Sequence, residues 1–132
     1  MKNLKTIFFV MIVLFVSCKK ESTHSPLTGK WELTSEVSGL NGAKTEFASG
    51  KGNISTFTDT EYEIIRGGKT VSKGTYSIMN FQSVQTQKEE KQIVYDGKVN
   101  DLIKNYFTIT DNTLIISVDG FDTPSSIFTR IN

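Results

Sequence analysis

Lys30-Trp31-Glu32-Leu33-Thr34-Ser35-Glu36-Val37 decides the fold class. Trp31, Leu33, Ser35 and Val37 alternate with Lys30, Glu32, Thr34 and Glu36. A period of two with one apolar and one charged face is the signature of a half-buried β-strand. The same alternation recurs downstream at short intervals. It predicts strands over Asn53–Thr58, Glu61–Arg66, Lys69–Met79, Gln82–Lys88, Gln92–Tyr95, Tyr106–Thr110, Thr113–Val118 and Ser125–Ile131.

The corners between these runs carry turn residues. Gly67-Gly68 reads as a two-residue hairpin, because both central positions of a type I′ turn require positive φ. Asn41-Gly42, Asp111-Asn112 and Asp119-Gly120 mark further turns. The strongest helical pattern is Val99–Asn105, where Val99, Leu102 and Ile103 share a face over one or two turns at most. Eight or nine short strands joined by hairpins give an antiparallel meander, which hides its edges by closing into an up-and-down barrel or folding into a sandwich.

Outward from this domain the chain changes character. Lys2 and Lys5 precede ten unbroken apolar residues, Ile7 to Val16. A bilayer-spanning helix needs about 20 such residues, whereas the apolar core of a secretion signal needs about 7–15 after a positive start. Residues 1–17 are therefore predicted to be a cleaved signal peptide. Lys19 to Pro26 is polar and reads as a flexible tether, residues 18–26, ahead of a domain spanning residues 27–132. At roughly 3.3 Å per extended residue the tether reaches up to about 25 Å.

Leu14-Phe15-Val16-Ser17-Cys18 resembles the bacterial lipobox. The resemblance implies lipidation of the Cys18 thiol, cleavage before it and acylation of the new amine. Stable anchoring takes at least two chains, which this modification supplies. Lys19 stands where an aspartate retains many lipoproteins in the inner membrane, so the resemblance implies an outer-membrane location in the cell envelope. Cys18 is the single cysteine. The mature chain cannot form an internal disulfide and is held by packing alone.

Cleavage removes Lys2 and Lys5, after which 13 basic residues face 14 acidic ones. A net charge near zero argues against nucleic acid as a partner, which demands a basic face. His24 is the only histidine and lies in the tether, so no Ser-His-Asp or Cys-His arrangement is available to the domain. Zinc needs about four nitrogen or sulfur ligands, which the chain does not offer. The carboxylate pairs Glu61/Glu63, Glu89/Glu90 and Asp119/Asp122 read as solvated faces and loops. No cofactor, metal or catalytic residue is expected, and the protein is not expected to be an enzyme.

Leu27-Thr28-Gly29-Lys30-Trp31-Glu32-Leu33 and the closing Phe128-Thr129-Arg130-Ile131 resemble the first and last strands of lipocalins and of the smaller lipocalin-like lipoproteins of Gram-negative envelopes. The resemblance implies an all-β, antiparallel, up-and-down eight-stranded barrel. It also implies a barrel-closing pair, Trp31 with Arg130. A guanidinium stacked on an indole contributes about 0.5–2 kcal/mol. The inward residues are expected to be Leu33, Val37, Tyr62, Ile64, Tyr76, Ile78, Phe107, Ile109, Leu114, Ile116 and Phe128 with the pair itself. An eight-stranded barrel is either just filled by its side chains or holds one small ligand. Two functions follow: a membrane-anchored binder of a small hydrophobic ligand, or a solid-core structural lipoprotein that engages an envelope protein partner.

Overall fold

The computed structural model describes residues 24–132; the leader, Cys18 and the first part of the tether lie outside the described residues. Nine strands occur: β1 (Gly29–Val37), β2 (Lys44–Glu46), β3 (Ile54–Phe57), β4 (Glu61–Arg66), β5 (Lys69–Gln82), β6 (Glu89–Tyr95), β7 (Asn105–Thr110), β8 (Thr113–Val118) and β9 (Ser125–Ile131). All pairings are antiparallel: β1 pairs with both β2 and β3, each strand from β3 onward pairs with the next, and β9 returns to pair with β1. The lower half of β1 pairs with β3 and its upper half with the short β2, so eight strands close the barrel and β2 extends the position of β3. Closure leaves no long edge exposed, and the β1–β9 seam runs from Lys30↔Ile131 to Val37↔Ser125.

One end is plugged. Leu27 and Trp31 are fully buried there, joined by Leu33, Phe57, Tyr76, Leu114 and Phe128. Phe57 and Tyr76 meet edge to face at 5.2 Å. Residues 24–132 contain all nine described strands and the core they bury, and no fully enclosed side-chain polar atom among them lacks a hydrogen-bond partner. The segment satisfies its own packing and polar requirements and is a self-sufficient folding unit.

The turns follow the predicted chemistry. Gly67 and Gly68 have φ of 55° and 77°, and Asp111 carries the positive φ of its own tight turn. The chain enters at the plugged end, where Asp59 accepts hydrogen bonds from Ser25 N and Thr28 Oγ1 and lies 2.9 Å from His24 Nδ1. The last tether residues are thus held on the barrel by the β3–β4 turn. These contacts, led by the one to His24, hold the Asp59 carboxyl below the usual carboxylate range.

Three local expectations are corrected. Gln82–Lys88 is not a strand: β5 runs on to Gln82, and residues 83–88 form the turn to β6. Asp119 accepts hydrogen bonds from Ser83 Oγ, Val84 N and Gln85 N, which occupies donors that a ladder would need. Val99–Asn105 is not helical, and no helix occurs among the described residues. Leu102 is 96% exposed and Ile103 62%, so no apolar surface packs on that segment to offset the cost of nucleating so short a helix.

Val37 is the third correction, because it does not join the core. Thr34 is an extra residue in β1: Leu33 faces Phe128 and Ser35 faces Ile127. Ser35 is the last buried residue of the strand. Beyond it the bulge brings Glu36 opposite Ser126 and Val37 opposite Ser125, and both border a shallow hollow with Leu40, Thr45 and Pro124 in place of the core.

Candidate functional site

The end opposite the chain entry is open. Between β4, the first half of β5, the end of β6 and the loop that leads to β7 lies a cavity of ≈ 440 Å³. The β6–β7 seam beside it is short. Only Gln92↔Tyr106 and Ile93↔Asn105 join those strands, after which the β5–β6 hairpin departs from the sheet. Its tip is held by Asp119, and Phe81 lies beside Tyr106 and under Lys104.

The floor is apolar, made by Phe57, Ile64, Ile93, Ile116 and Phe128. Ser55, Ser72, Asn105 and Ser126 add small polar groups to the wall. The upper wall is organised by Asp96, whose Oδ2 accepts from Tyr62 Oη at 3.0 Å and whose Oδ1 accepts from Thr75 N at 3.1 Å. Tyr62 Oη is also 3.1 Å from Ser72 Oγ. The Tyr62 and Tyr95 rings pack edge to face at 4.7 Å. Burial pushes the Tyr95 hydroxyl well up, and the nearby Tyr62 adds to the effect, so this phenol is a neutral donor at any physiological pH.

Arg66 lines the same cavity from the last position of β4. Its Nη1 donates to the Ile65 carbonyl at 2.9 Å, and no carboxylate among the described residues lies within ion-pair distance. Burial lowers its pKa; Glu36 and Tyr95 oppose that shift. A wider depression on the outer face, between Glu61, Glu63, Lys73 and Thr75, is bordered by strand residues whose side chains are largely in water.

The residues expected from the sequence divide between two regions. Ile64, Ile116, Tyr62 and Phe128 border the cavity. Trp31, Leu33, Tyr76, Phe107 and Leu114 lie in the buried core, with Ile78 and Ile109 packed against it. Arg130 covers Trp31 at the plugged end, and its Nη1 donates to Thr28 O at 2.8 Å. Trp31 Nε1 donates to Leu27 O at 2.8 Å. Cys18 lies outside the described residues.

Sequence reading missed Arg66, Tyr95 and Asp96. For Arg66 a signal was present: Tyr62, Ile64 and Arg66 sit at period two, so the inner face of β4 ends in a cation. Tyr95 follows from Ile93 in the same way. Asp96 was hidden by its place just past a strand end. Among the described residues no three His, Cys, Asp or Glu side chains are grouped to hold a metal.

The fold and site define a closed, eight-stranded, antiparallel up-and-down β-barrel, plugged at one end and opening at the other into a cavity of small-molecule size. This architecture is consistent with a lipocalin-like fold. No protein-family pattern, curated protein or solved structure matches the chain.

Proposed function

We propose that this chain is a lipid-anchored binding protein of the cell envelope that carries a small, largely apolar molecule in the open end of its barrel and performs no catalysis. The cavity carries this reading. Its volume of ≈ 440 Å³ falls within the roughly 300–1,000 Å³ range of ligand sites; its floor is aromatic and aliphatic, while polar side chains make the larger part of its exposed surface. Anchoring at the outer membrane through Cys18 rests on the lipobox-like sequence and on Lys19 after it. The tether leaves from the plugged end, so an anchored barrel would present its opening away from its own lipid.

Native mass spectrometry of the full chain, purified from membranes under non-denaturing conditions, tests both parts. The mass should show loss of residues 1–17 with two or three acyl chains on Cys18, plus an adduct released on denaturation. An unmodified cysteine would remove the anchor. Absence of any adduct, together with failure to take up an added apolar probe, would remove the binder.

A second reading is favoured by the loops around the opening. Leu40 is 82% exposed, Phe121 76% and Leu102 96%, and these loops adjoin: Gly39 lies against the backbone of Asp122 and Thr123, and Asp119 N donates to Lys104 O. In this reading the rim engages an envelope protein. Crosslinking in intact membranes would support it by giving one reproducible partner that is lost on Leu102→Ser.

A further inference from the structure

Arg66 is the unusual member of the cavity wall. A guanidinium has five N–H donors. Among the described residues Arg66 gives one hydrogen bond, to the carbonyl of its own neighbour Ile65, although it is half-buried. The remaining donors belong to a side chain that lines a cavity with an apolar floor. Such a group gains most from a planar oxyanion that it can grip with two parallel hydrogen bonds.

The other charges near the opening do not fill that role. Asp96 is engaged by Tyr62 Oη and Thr75 N. Asp101 is exposed and accepts from Ile103 N. Glu36, opposite Ser126 beyond the Thr34 bulge, is exposed and beyond ion-pair distance of Arg66. Lys98 adds a second cation at the rim. Neutral donors stand close by in Ser126, Asn105 and the Tyr95 hydroxyl.

We propose that the ligand is an amphiphile with a carboxylate-type oxyanion head: the head is gripped by the Arg66 guanidinium near the opening, and the tail lies on Phe57, Ile64, Ile93, Ile116 and Phe128. This rests on the reading of the cavity as a ligand site and deepens it, because an apolar floor alone does not distinguish a fatty acid from the matching alcohol. The Arg66 charge sets the sign of the selectivity.

The test is calorimetric titration of the barrel segment, residues 24–132, with dodecanoate and with dodecanol, both below the concentration at which they aggregate. Dodecanoate should bind about tenfold more tightly, roughly the worth of one charge-assisted hydrogen bond. Arg66→Gln should abolish that difference. Arg66→Lys, which keeps the charge and loses the fork, should retain part of it. Equal binding of the two compounds by the unaltered barrel, or Arg66→Gln with its preference intact, overturns the head-group assignment while leaving the cavity a ligand site. Binding of neither overturns the ligand site itself. Near-ultraviolet circular dichroism of each variant confirms that the fold is kept.

Discussion

The Arg130 guanidinium lies over the Trp31 indole, with Cζ 4.0 Å from the ring centroid, and the two residues are direct partners across the β1–β9 seam. One contact therefore ties the first strand to the last, plugs the barrel and caps the Thr28 carbonyl. Gly29 makes room for it: a Cβ there would stand 2.6 Å from Arg130 Nη1.

Trp31→Ala should cost about 3–5 kcal/mol, since it empties the centre of the plug. Arg130→Ala should cost less. The double variant should cost less than the sum, because touching residues couple. Urea unfolding of residues 24–132 measures the cycle, and strict additivity would show that the pair does not hold the seam.

Gly74→Ala tests the wall of the cavity. A Cβ at Gly74 would fall 2.0 Å from Asp96 Oδ1 and 3.2 Å from Tyr62 Cε1. Asp96 must then move and lose its hold on Tyr62 Oη and Thr75 N. A loss of about 1–3 kcal/mol is expected from the overpacking. Made in an Asp96→Ala background, Gly74→Ala should cost much less than in the unaltered barrel, because the clashing carboxylate is already gone. An unchanged penalty in the double variant would place the strain elsewhere.

Acid should loosen the tip of the β5–β6 hairpin. Burial alone raises the Asp119 carboxyl, but the hydrogen bonds from Ser83, Val84 and Gln85, with Lys104 nearby, outweigh it and hold the group below its ordinary value. A carboxyl lowered in the folded state stabilises fully above its unfolded pKa, and that contribution is lost as pH falls through the folded value. Asp119→Asn should therefore be less stable than the unaltered barrel at pH 7, and the gap should close below about pH 4. Because Asp119 is mostly solvated the gap is small, and unfolding midpoints in urea at the two pH values resolve it. A gap that widens in acid contradicts the sign.

Filling the cavity should separate its two candidate uses. Ile64→Trp places a larger side chain into existing space, so stability should change by less than about 1.5 kcal/mol. Uptake of a fluorescent apolar probe should fall at least tenfold, while any capture of a protein partner by the rim loops should persist. Undiminished probe uptake would mean that binding occurs outside the barrel.

Much of the architecture is present in the chain order of residue types. Period-two alternation places Trp31, Leu33, Tyr62, Phe107, Leu114 and Phe128 inside without reference to any partner strand, because side chains on a strand point to opposite faces in turn. Gly67-Gly68 and Asp111-Asn112 locate hairpins because few residues tolerate positive φ. The apolar run before Cys18 carries the signal-peptide expectation by its length, and the lipidation expectation rests on the lipobox-like residues that end it.

Tertiary structure decided the rest, and in each case through a long-range contact. The Thr34 bulge takes Val37 out of the core, and it is a mismatch in register with β9, nearly a hundred residues away in the chain. Asp119 ends β5 by taking donors from a segment more than 30 residues earlier. The cavity opens beside a β6–β7 ladder of only two residue pairs and is walled there by the loop of residues 96–104, so its size depends on how that loop crosses the opening and not on the composition of either strand. A local pattern reports which face a residue prefers; whether that face meets a packed core or an open space is settled only when the barrel closes.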